Sequence, residues 1–511
     1  MMPIAASPVP LTFPGGNDLV GFLPELVLGG AFLVLMLLDL VVPASRRTWL
    51  AGFALLGVAA AFVVTIFCWF NANPGRLVYS GSFAYDRYAL FVDAILLVSA
   101  ALVLMISPHY LNRRGIHHGE YYALILAATI GMMLLAGATS LMVIFLAIEL
   151  LSLALYVLSG FSRQEERSQE AALKYLLLGG FASGFLLFGM ALVYGETGHT
   201  QLAQISAAIQ GERAIDPLLL AGVILLFIGF AFKVSAAPFH SWTPDVYQGA
   251  PTSVTTFMSV TTKVAAFAAL VRVFTYTFGG GSTNFYTTWE PVVALVAIAS
   301  MVVGNVAALT QTSVKRMLAY SGIAQAGYIL IGVAVGAVVL PSGQSSSLGT
   351  IAVLYYLAAY AVSNIGAFAV ITVMAGRGED LDSYDGLRGL AYRRPFVAAS
   401  MALFLFSLGG FPPTAGFFAK FLVFTAAINA NQTPLALWGI ATSAVAAFYY
   451  LRVGLLMYQR PTGATDEYRW SRTGIPGSAV LVATTAGTLV LGVLIVLVYT
   501  AATASLKGLI V

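Results

Sequence analysis

Runs of about 20 apolar residues recur along the whole chain, separated by short polar gaps, and that length matches a hydrocarbon core roughly 30 Å thick. The pattern predicts spans near 17–43, 47–71, 86–107, 119–138, 140–160, 170–194 and 217–249. It continues near 252–277, 291–311, 316–338, 350–375, 396–428, 434–457 and 475–503. The expected fold is an all-α membrane protein of about fourteen transmembrane helices.

Two of these stretches are too long for one straight crossing. At a rise of 1.5 Å per residue, a helix over 217–249 or 396–428 would run about 50 Å. Both contain breakers, Pro238 and Pro244 in the first and Gly409, Gly410, Pro412 and Pro413 in the second. We therefore expect broken helices at the seventh and twelfth positions. Because these lie five spans apart, spans four to eight and nine to thirteen run through the membrane in opposite senses. Such an inverted repeat places discontinuous helices along a path at the midplane. The division that follows is three N-terminal helices (1–118), a first five-helix repeat (119–278), a second, inverted one (279–458) and a C-terminal span (459–511).

Composition agrees with a lipid environment: 59% of the 511 residues are hydrophobic and 9% are charged, against about 25% in soluble domains. Alternate loops differ sharply in Lys/Arg content. One set holds Arg46, Arg47, Arg113, Arg114, Arg163, Arg167, Lys315, Arg316, Arg377, Arg388, Arg393, Arg394, Arg460, Arg469 and Arg472; the other holds Arg76, Arg213 and Lys507. The positive-inside rule then puts the first set in the cytoplasm and both termini outside. The net charge of +4 is spread through loops and forms no patch, so no nucleic-acid partner is expected.

Cys68 stands alone in an apolar run, which excludes an internal disulfide and a thiolate cluster site. Neither a GxGxxG turn after a strand nor a Walker loop is present, so no nucleotide site is expected. Residues 1–16 lack the Lys/Arg head of a secretory signal and read as a short tail.

Four charges lie deep in apolar runs: Glu149 in FLAIELLSLAL, Lys233 in FIGFAFKVSAAPFH, Lys263 in SVTTKVAAFAAL and Lys420 in AGFFAKFLVF. Each central charge costs about 2.5 to 3.5 kcal/mol on insertion scales, and such residues mark ion pathways by default. The bland alternatives are a lysine snorkelling to a headgroup and an ion pair that only fixes packing. Snorkelling suits Arg87, Lys174, Arg272 and Arg452, which sit near span ends, but Lys263 and Lys420 are far from any loop.

Lysine suits proton carriage because burial in general penalises an ammonium ion, while a nearby carboxylate favours it. A Glu149–Lys233 pair would thus hold a proton when closed and eject it when separated, toward Lys263 and then Lys420. His240 follows the Pro238 break among Trp242, Asp245, Tyr247 and Gln248, and histidine titrates in the range that a relay needs; an interfacial histidine satisfied by backbone acceptors is the competing reading. Glu25, Asp39 and Asp93 read as interfacial caps or local pairs. Gly180 and Gly184 read as helix packing.

The stretch FKVSAAPFHSWTPDVYQGAPT from Phe232 to Thr252, with the following TTKVAAF, resembles the antiporter-like subunits of respiratory NADH:quinone oxidoreductase and their relatives in cation/proton antiporter complexes. SVKRMLAYSGIAQAGY, FSLGGFPPTAGFFAKF and LPELVLGGAFLVLMLLDL extend the resemblance over nearly the whole chain.

The resemblance implies that Glu149, Lys233, Lys263 and Lys420 are the family's functional positions. Lys420 stands where one branch of the family carries glutamate. NADH, FMN, iron–sulfur clusters and quinone would bind partner subunits, leaving this chain without a cofactor or metal of its own. The implied neighbours are the other membrane-arm subunits, K, M and J, in a bacterial plasma membrane. Two alternatives stand beside it: a subunit of a multi-subunit cation/proton antiporter or membrane-bound hydrogenase-type complex, and an inert scaffold for other transport subunits.

Overall fold

Helix boundaries follow local chemistry at both ends. The structure, a computed structural model, describes residues 15–71, 75–210, 216–279, 283–336, 338–339, 345–376, 382–460 and 474–509. Arg213, Arg377, Arg469, Arg472 and nearly all of the N-terminal tail lie outside the described residues. The first half contains α1 (Leu23–Val41), α2 (Thr48–Asn71), α3 (Arg87–Arg114), α4 (Glu120–Gly137), α5 (Leu141–Ser159), α6 (Glu166–Thr197), α7 (Pro217–Lys233) and α8 (Trp242–Gly249). The second contains α9 (Thr252–Leu270), α10 (Thr283–Leu309), α11 (Val314–Ala334), α12 (Leu348–Met374), α13 (Pro395–Gly409), α14 (Ala415–Asn429), α15 (Thr433–Tyr458), α16 (Ile475–Val493) and α17 (Ile495–Ser505).

Asp86, Asp216 and Ser313 cap α3, α7 and α11 by accepting from backbone N–H groups of the first turn. Gly115 and Gly198 end α3 and α6 in left-handed conformations, at φ 69° and 70°.

Among the described residues, twelve helices are long and apolar enough to cross a membrane. The two overlong stretches are broken as expected: α7 stops at Lys233 and α8 starts at Trp242, while α13 stops at Gly409 and α14 starts at Ala415. Several boundaries moved. Pro108 lies inside α3, which runs on to Arg114, and Pro291 lies inside α10, which starts at Thr283. Buried packing outweighs the proline cost at α10, where Trp289 is buried and donates to Phe278 O at 3.3 Å. A hairpin, β1 (Arg76–Val78) with β2 (Phe83–Tyr85), occupies a gap read as loop, and pairs Arg76 with Tyr85 and Val78 with Phe83.

The centre of the bundle is built from α9, α11 and α12. The α9 span, prolonged by a π-helical segment over Val271–Thr277, is wholly buried, whereas α1 presents most of its surface outward. Here the snorkelling reading of Arg272 fails. Arg272 and Asp86 are both fully buried, with Nη1–Oδ2 at 2.9 Å and Nη2–Oδ1 at 3.1 Å. Sequence distance from a loop did not reveal that the β1–β2 hairpin and α4 close over that end of α9. Glu25 and Asp93 are buried and not interfacial, and among the described residues each leaves one carboxyl oxygen without a hydrogen-bond partner.

Loop contacts sort into the same two sets as the charges. On the basic face Arg47 donates to His117 O at 2.8 Å, Arg114 pairs with Glu165, and Val314 N donates to Asp382 O at 2.6 Å. On the opposite face Thr139 N donates to Ser82 O at 3.1 Å, and Gln201 reaches Ser80 O at 2.6 Å.

His117, in the α3–α4 loop, sits between Asn112 Oδ1 and Tyr122 Oη at 2.8 and 2.7 Å. Burial first, then the charges of Arg47 and His118, hold its pKa below 6.5. A histidine that stays neutral in the fold but ionises in the unfolded chain stabilises fully above that value, and the contribution is lost as pH falls through the folded pKa. Thermal stability of the solubilised protein should therefore decline below pH ~6.5 more steeply than in His117→Gln. Parallel profiles would remove His117 from the account.

Candidate functional site

Lys233 ends α7 at the first break, and its amine donates to Ser152 Oγ on α5 at 2.6 Å. Ser152 in turn donates to Ile148 O. Glu149 lies three residues before Ser152, so the two project from one side of the helix. The expected contact pair between Glu149 and Lys233 is not formed: Glu149 accepts from Ser183 on α6, and its charge reaches Lys233 only through space. Ser152 and Ser183 thus take the hydrogen bonds that a direct pair would have made.

Lys263, at the middle of α9, is fully buried and donates to Tyr247 Oη of α8 at 3.2 Å. Gly322 of α11 backs it, since a methyl there would stand 3.6 Å from the amine and 3.2 Å from Tyr360 Oη. Lys420, on α14 beyond the second break, donates to Gly409 O at 3.1 Å. That carbonyl closes α13, where the helix dipole presents partial negative charge. Gly410 makes the turn at φ 86°; a Cβ on it would meet Lys420 Cδ at 2.9 Å, so the site needs glycine twice over.

Each amine also lies over a tyrosine ring: Lys233 over Tyr156 at 5.7 Å, Lys263 over Tyr247 at 5.5 Å and Lys420 over Tyr328 at 4.6 Å. Cation–π attraction of about 0.5 to 2 kcal/mol offsets only part of the cost of a charge at that depth. Among the described residues none of the three has a carboxylate within 4 Å.

Polar side chains lie on the side of Lys420. From Lys263 toward Lys420, α11 carries Ser321, bonded to Tyr450 Oη, and Gln325, which donates to Leu408 O at 2.9 Å and accepts from Tyr356. Leu408 O and Gly409 O are neighbours, so Gln325 and Lys420 share the same helix end. Asn305 and Tyr449 continue the network to Tyr328 at 3.0 Å per bond. The gap between Lys233 and Lys263 is aromatic: Trp242 stacks on Tyr175 at 4.4 Å and meets Tyr247 edge-on at 6.1 Å.

At the basic face Asp245 binds Lys174 and Arg316 at 2.7 Å each, beside a cavity of about 140 Å³ that Glu170 and Gln248 help to line. His240 lies in the α7–α8 connection, half-buried, with a buried Nδ1 that has no hydrogen-bond partner. None of its contacts ties it to the lysines.

Sequence reasoning missed Ser152, Ser321, Gln325, Tyr356 and Tyr450, and placed Tyr247 beside His240 without its bond to Lys263. Gln325 carried a usable signal, an amide inside an apolar run, where a polar group is costly. The tyrosines carried none, because a tyrosine in a membrane helix is ordinary.

Discontinuous helices at two breaks with buried amines beside them are the architecture of membrane proteins that pass small ions. Residues 138–446 match the NADH:quinone oxidoreductase/Mrp antiporter transmembrane family, and the chain belongs to it.

Among its relatives, NADH-quinone oxidoreductase subunit N of Trichlorobacter lovleyi is 42% identical over 92% of this chain and 93% of its own. Subunit N of Salinibacter ruber is 41% identical over 93% of each. Respiratory complex I from Thermus thermophilus with bound aureothin contains a chain that is 34% identical at a TM-score of 0.77, with 94% of this chain and 99% of that one covered. The Mrp complex from a Dietzia species matches at a TM-score of 0.80 and 22% identity, covering 95% of this chain and 97% of its own, a likeness of fold alone.

Proposed function

We infer that this chain is the subunit N of a bacterial NADH:quinone oxidoreductase and translocates protons in its membrane arm. The observation that carries the reading is three buried lysines, uncommitted to carboxylates and separated by hydroxyl, amide and aromatic groups that can bond to water. On this reading NADH oxidation and quinone reduction, with FMN and iron–sulfur clusters, take place in partner subunits, among which K, M and J are the neighbours. The chain lies in the plasma membrane with its basic face toward the cytoplasm and its termini outside. Its units are the three N-terminal helices, two five-helix repeats and a last span, with the boundaries given above.

The relay runs from Glu149 and Lys233 through Lys263 to Lys420. A carboxylate at Glu149 near Lys233 favours the ammonium form of that amine. When the two draw apart, the amine loses that support and passes its proton on through water toward Lys263, and Lys263 passes one through the Ser321–Gln325 side to Lys420. Asp245, Lys174 and Arg316 border the inlet, and His240 is a candidate member between inlet and Lys233.

Native purification from membranes tests the assignment. The chain should travel with NADH-oxidising and quinone-binding subunits, and travel with small antiporter subunits lacking redox centres would refute it. Within the assembly, Glu149→Gln and Lys233→Ala should leave subunit composition intact while cutting NADH-driven proton uptake into vesicles. Unimpaired pumping in both assembled variants would favour the scaffold reading.

A further inference from the structure

The face opposite the basic loops carries few cations, and three of them gather at one place. Arg76 opens β1, Arg87 opens α3, and Lys507 follows the end of α17. In the hairpin Arg76 lies opposite Tyr85, two residues before Arg87. The C-terminal end of the chain meets the hairpin there, for a Cβ built on Gly75 would stand 3.5 Å from Gly508 O. Among the described residues none of the three cations has a carboxylate within 4 Å, and Asp86, next to Arg87 in sequence, is committed to Arg272. Nε of Arg76 and Nε of Arg87 are buried without a hydrogen-bond partner, and Lys507 is exposed.

On the same helices lies an apolar cavity of about 250 Å³. Phe91, Val98 and Leu102 of α3 line it, with Phe62 of α2, Val362 of α12 and Val498 of α17. Phe91 stands one turn after Arg87, so that cation heads the stripe of α3 that forms the wall. Ser99, the polar side chain in the lining, donates to Ile95 O of its own helix at 2.7 Å. Val98 is 41% exposed, so the cavity opens sideways toward the bilayer. From Phe91 to Leu102 the wall runs about 16 Å at 1.5 Å per residue. One leaflet of a hydrocarbon core roughly 30 Å thick has about that depth.

We propose that the cavity and the three cations together bind one anionic phospholipid, with an acyl chain in the cavity and the phosphate among Arg76, Arg87 and Lys507. An apolar cavity of this kind offers water nothing to bond and stays dry, so hydrocarbon is the occupant that gains contacts. A compact apolar ligand would leave the cations unused, and a soluble anion would leave the cavity empty. Guanidinium forks match phosphate oxygens, and an ammonium ion adds a point charge. The lipid then joins α2 and α3 to α12 and α17, elements from both ends of the chain. The site is separate from the lysine relay, and its test does not depend on pumping.

Phosphatidylglycerol with a diazirine midway along one acyl chain, present as a minor component of phosphatidylcholine vesicles that hold the native assembly, probes the site. Irradiation should label the peptides that carry Phe91 to Leu102 and Val498. Added unlabelled phosphatidylglycerol should displace that label, and an equal addition of phosphatidylcholine should not. Each cation near a headgroup is worth about fivefold in lipid affinity, so Arg76→Gln combined with Lys507→Gln should lower labelling at least about tenfold. Lys507→Gln alone, at an exposed position, should lower it about fivefold and carries the comparison if the double variant does not assemble. Val98→Trp should close the mouth and remove the label from α3 and α17 while labelling of the outward face of α1, at Leu33 and Leu37, stays as in the parent. The proposal is overturned if phosphatidylcholine displaces the label equally well. It is also overturned if the charge variants change labelling of α3 no more than labelling of α1.

Discussion

Lys263→Met is expected to stop the relay at its centre while leaving the bundle standing. Lys263 is the most enclosed of the three amines and is hydrogen-bonded to Tyr247, and Gly322 leaves it room beside Tyr360 Oη. Methionine fills similar space and removes a charge whose burial is unfavourable, so the helices lose little. A positioned proton-transfer group is worth roughly 10² to 10⁴ in rate. NADH-driven proton translocation by the assembled complex in vesicles should fall by at least about tenfold. Lys263→Arg separates a transport role from a structural one, because a guanidinium keeps the charge but does not release its proton. If the arginine variant assembles and pumps as the parent does, Lys263 is a fixed charge and the relay is wrong.

The second large effect concerns stability. Arg272 and Asp86 form a pair that is fully withdrawn from solvent, and Arg272 Nη2 also donates to Ala136 O at 3.2 Å. Removing one member strands the other, at a cost of about 3 to 5 kcal/mol. Arg272→Met should therefore lower the thermal stability and yield of the assembled subunit sharply. Arg272→Met combined with Asp86→Asn should recover most of the loss, because the amide is uncharged yet can still accept from Ala89 N as helix cap. If the single variant is as stable as the parent, the pair contributes nothing to the fold.

The four positions of the proposed relay differ in how much of their setting was legible. Lys263 and Lys420 stood out because nothing in an apolar run of that length can solvate an amine, and the structure places both in the interior. Glu149 and Lys233 stood out for the same reason, yet their relation was misjudged: Ser152 and Ser183 take the hydrogen bonds that a direct pair would have made. Arg272 was misread because its position near a span end suggested an escape to headgroups, and only the packing of the hairpin, α3 and α4 around it removed that escape.

By itself the chain sequence determined the helices, their approximate ends, the two breaks and the division of the loops into two sets. Those follow from local rules: the length of apolar runs, the geometry of proline and glycine, and the cost of exposing backbone or charge to lipid. Tertiary structure alone decided which tyrosine faces which lysine, that Gln325 and Lys420 meet at one helix end, and that Glu25 and Asp93 are buried. These depend on the rotation and crossing of helices far apart in sequence, which a hydropathy pattern nearly uniform around each helix does not encode.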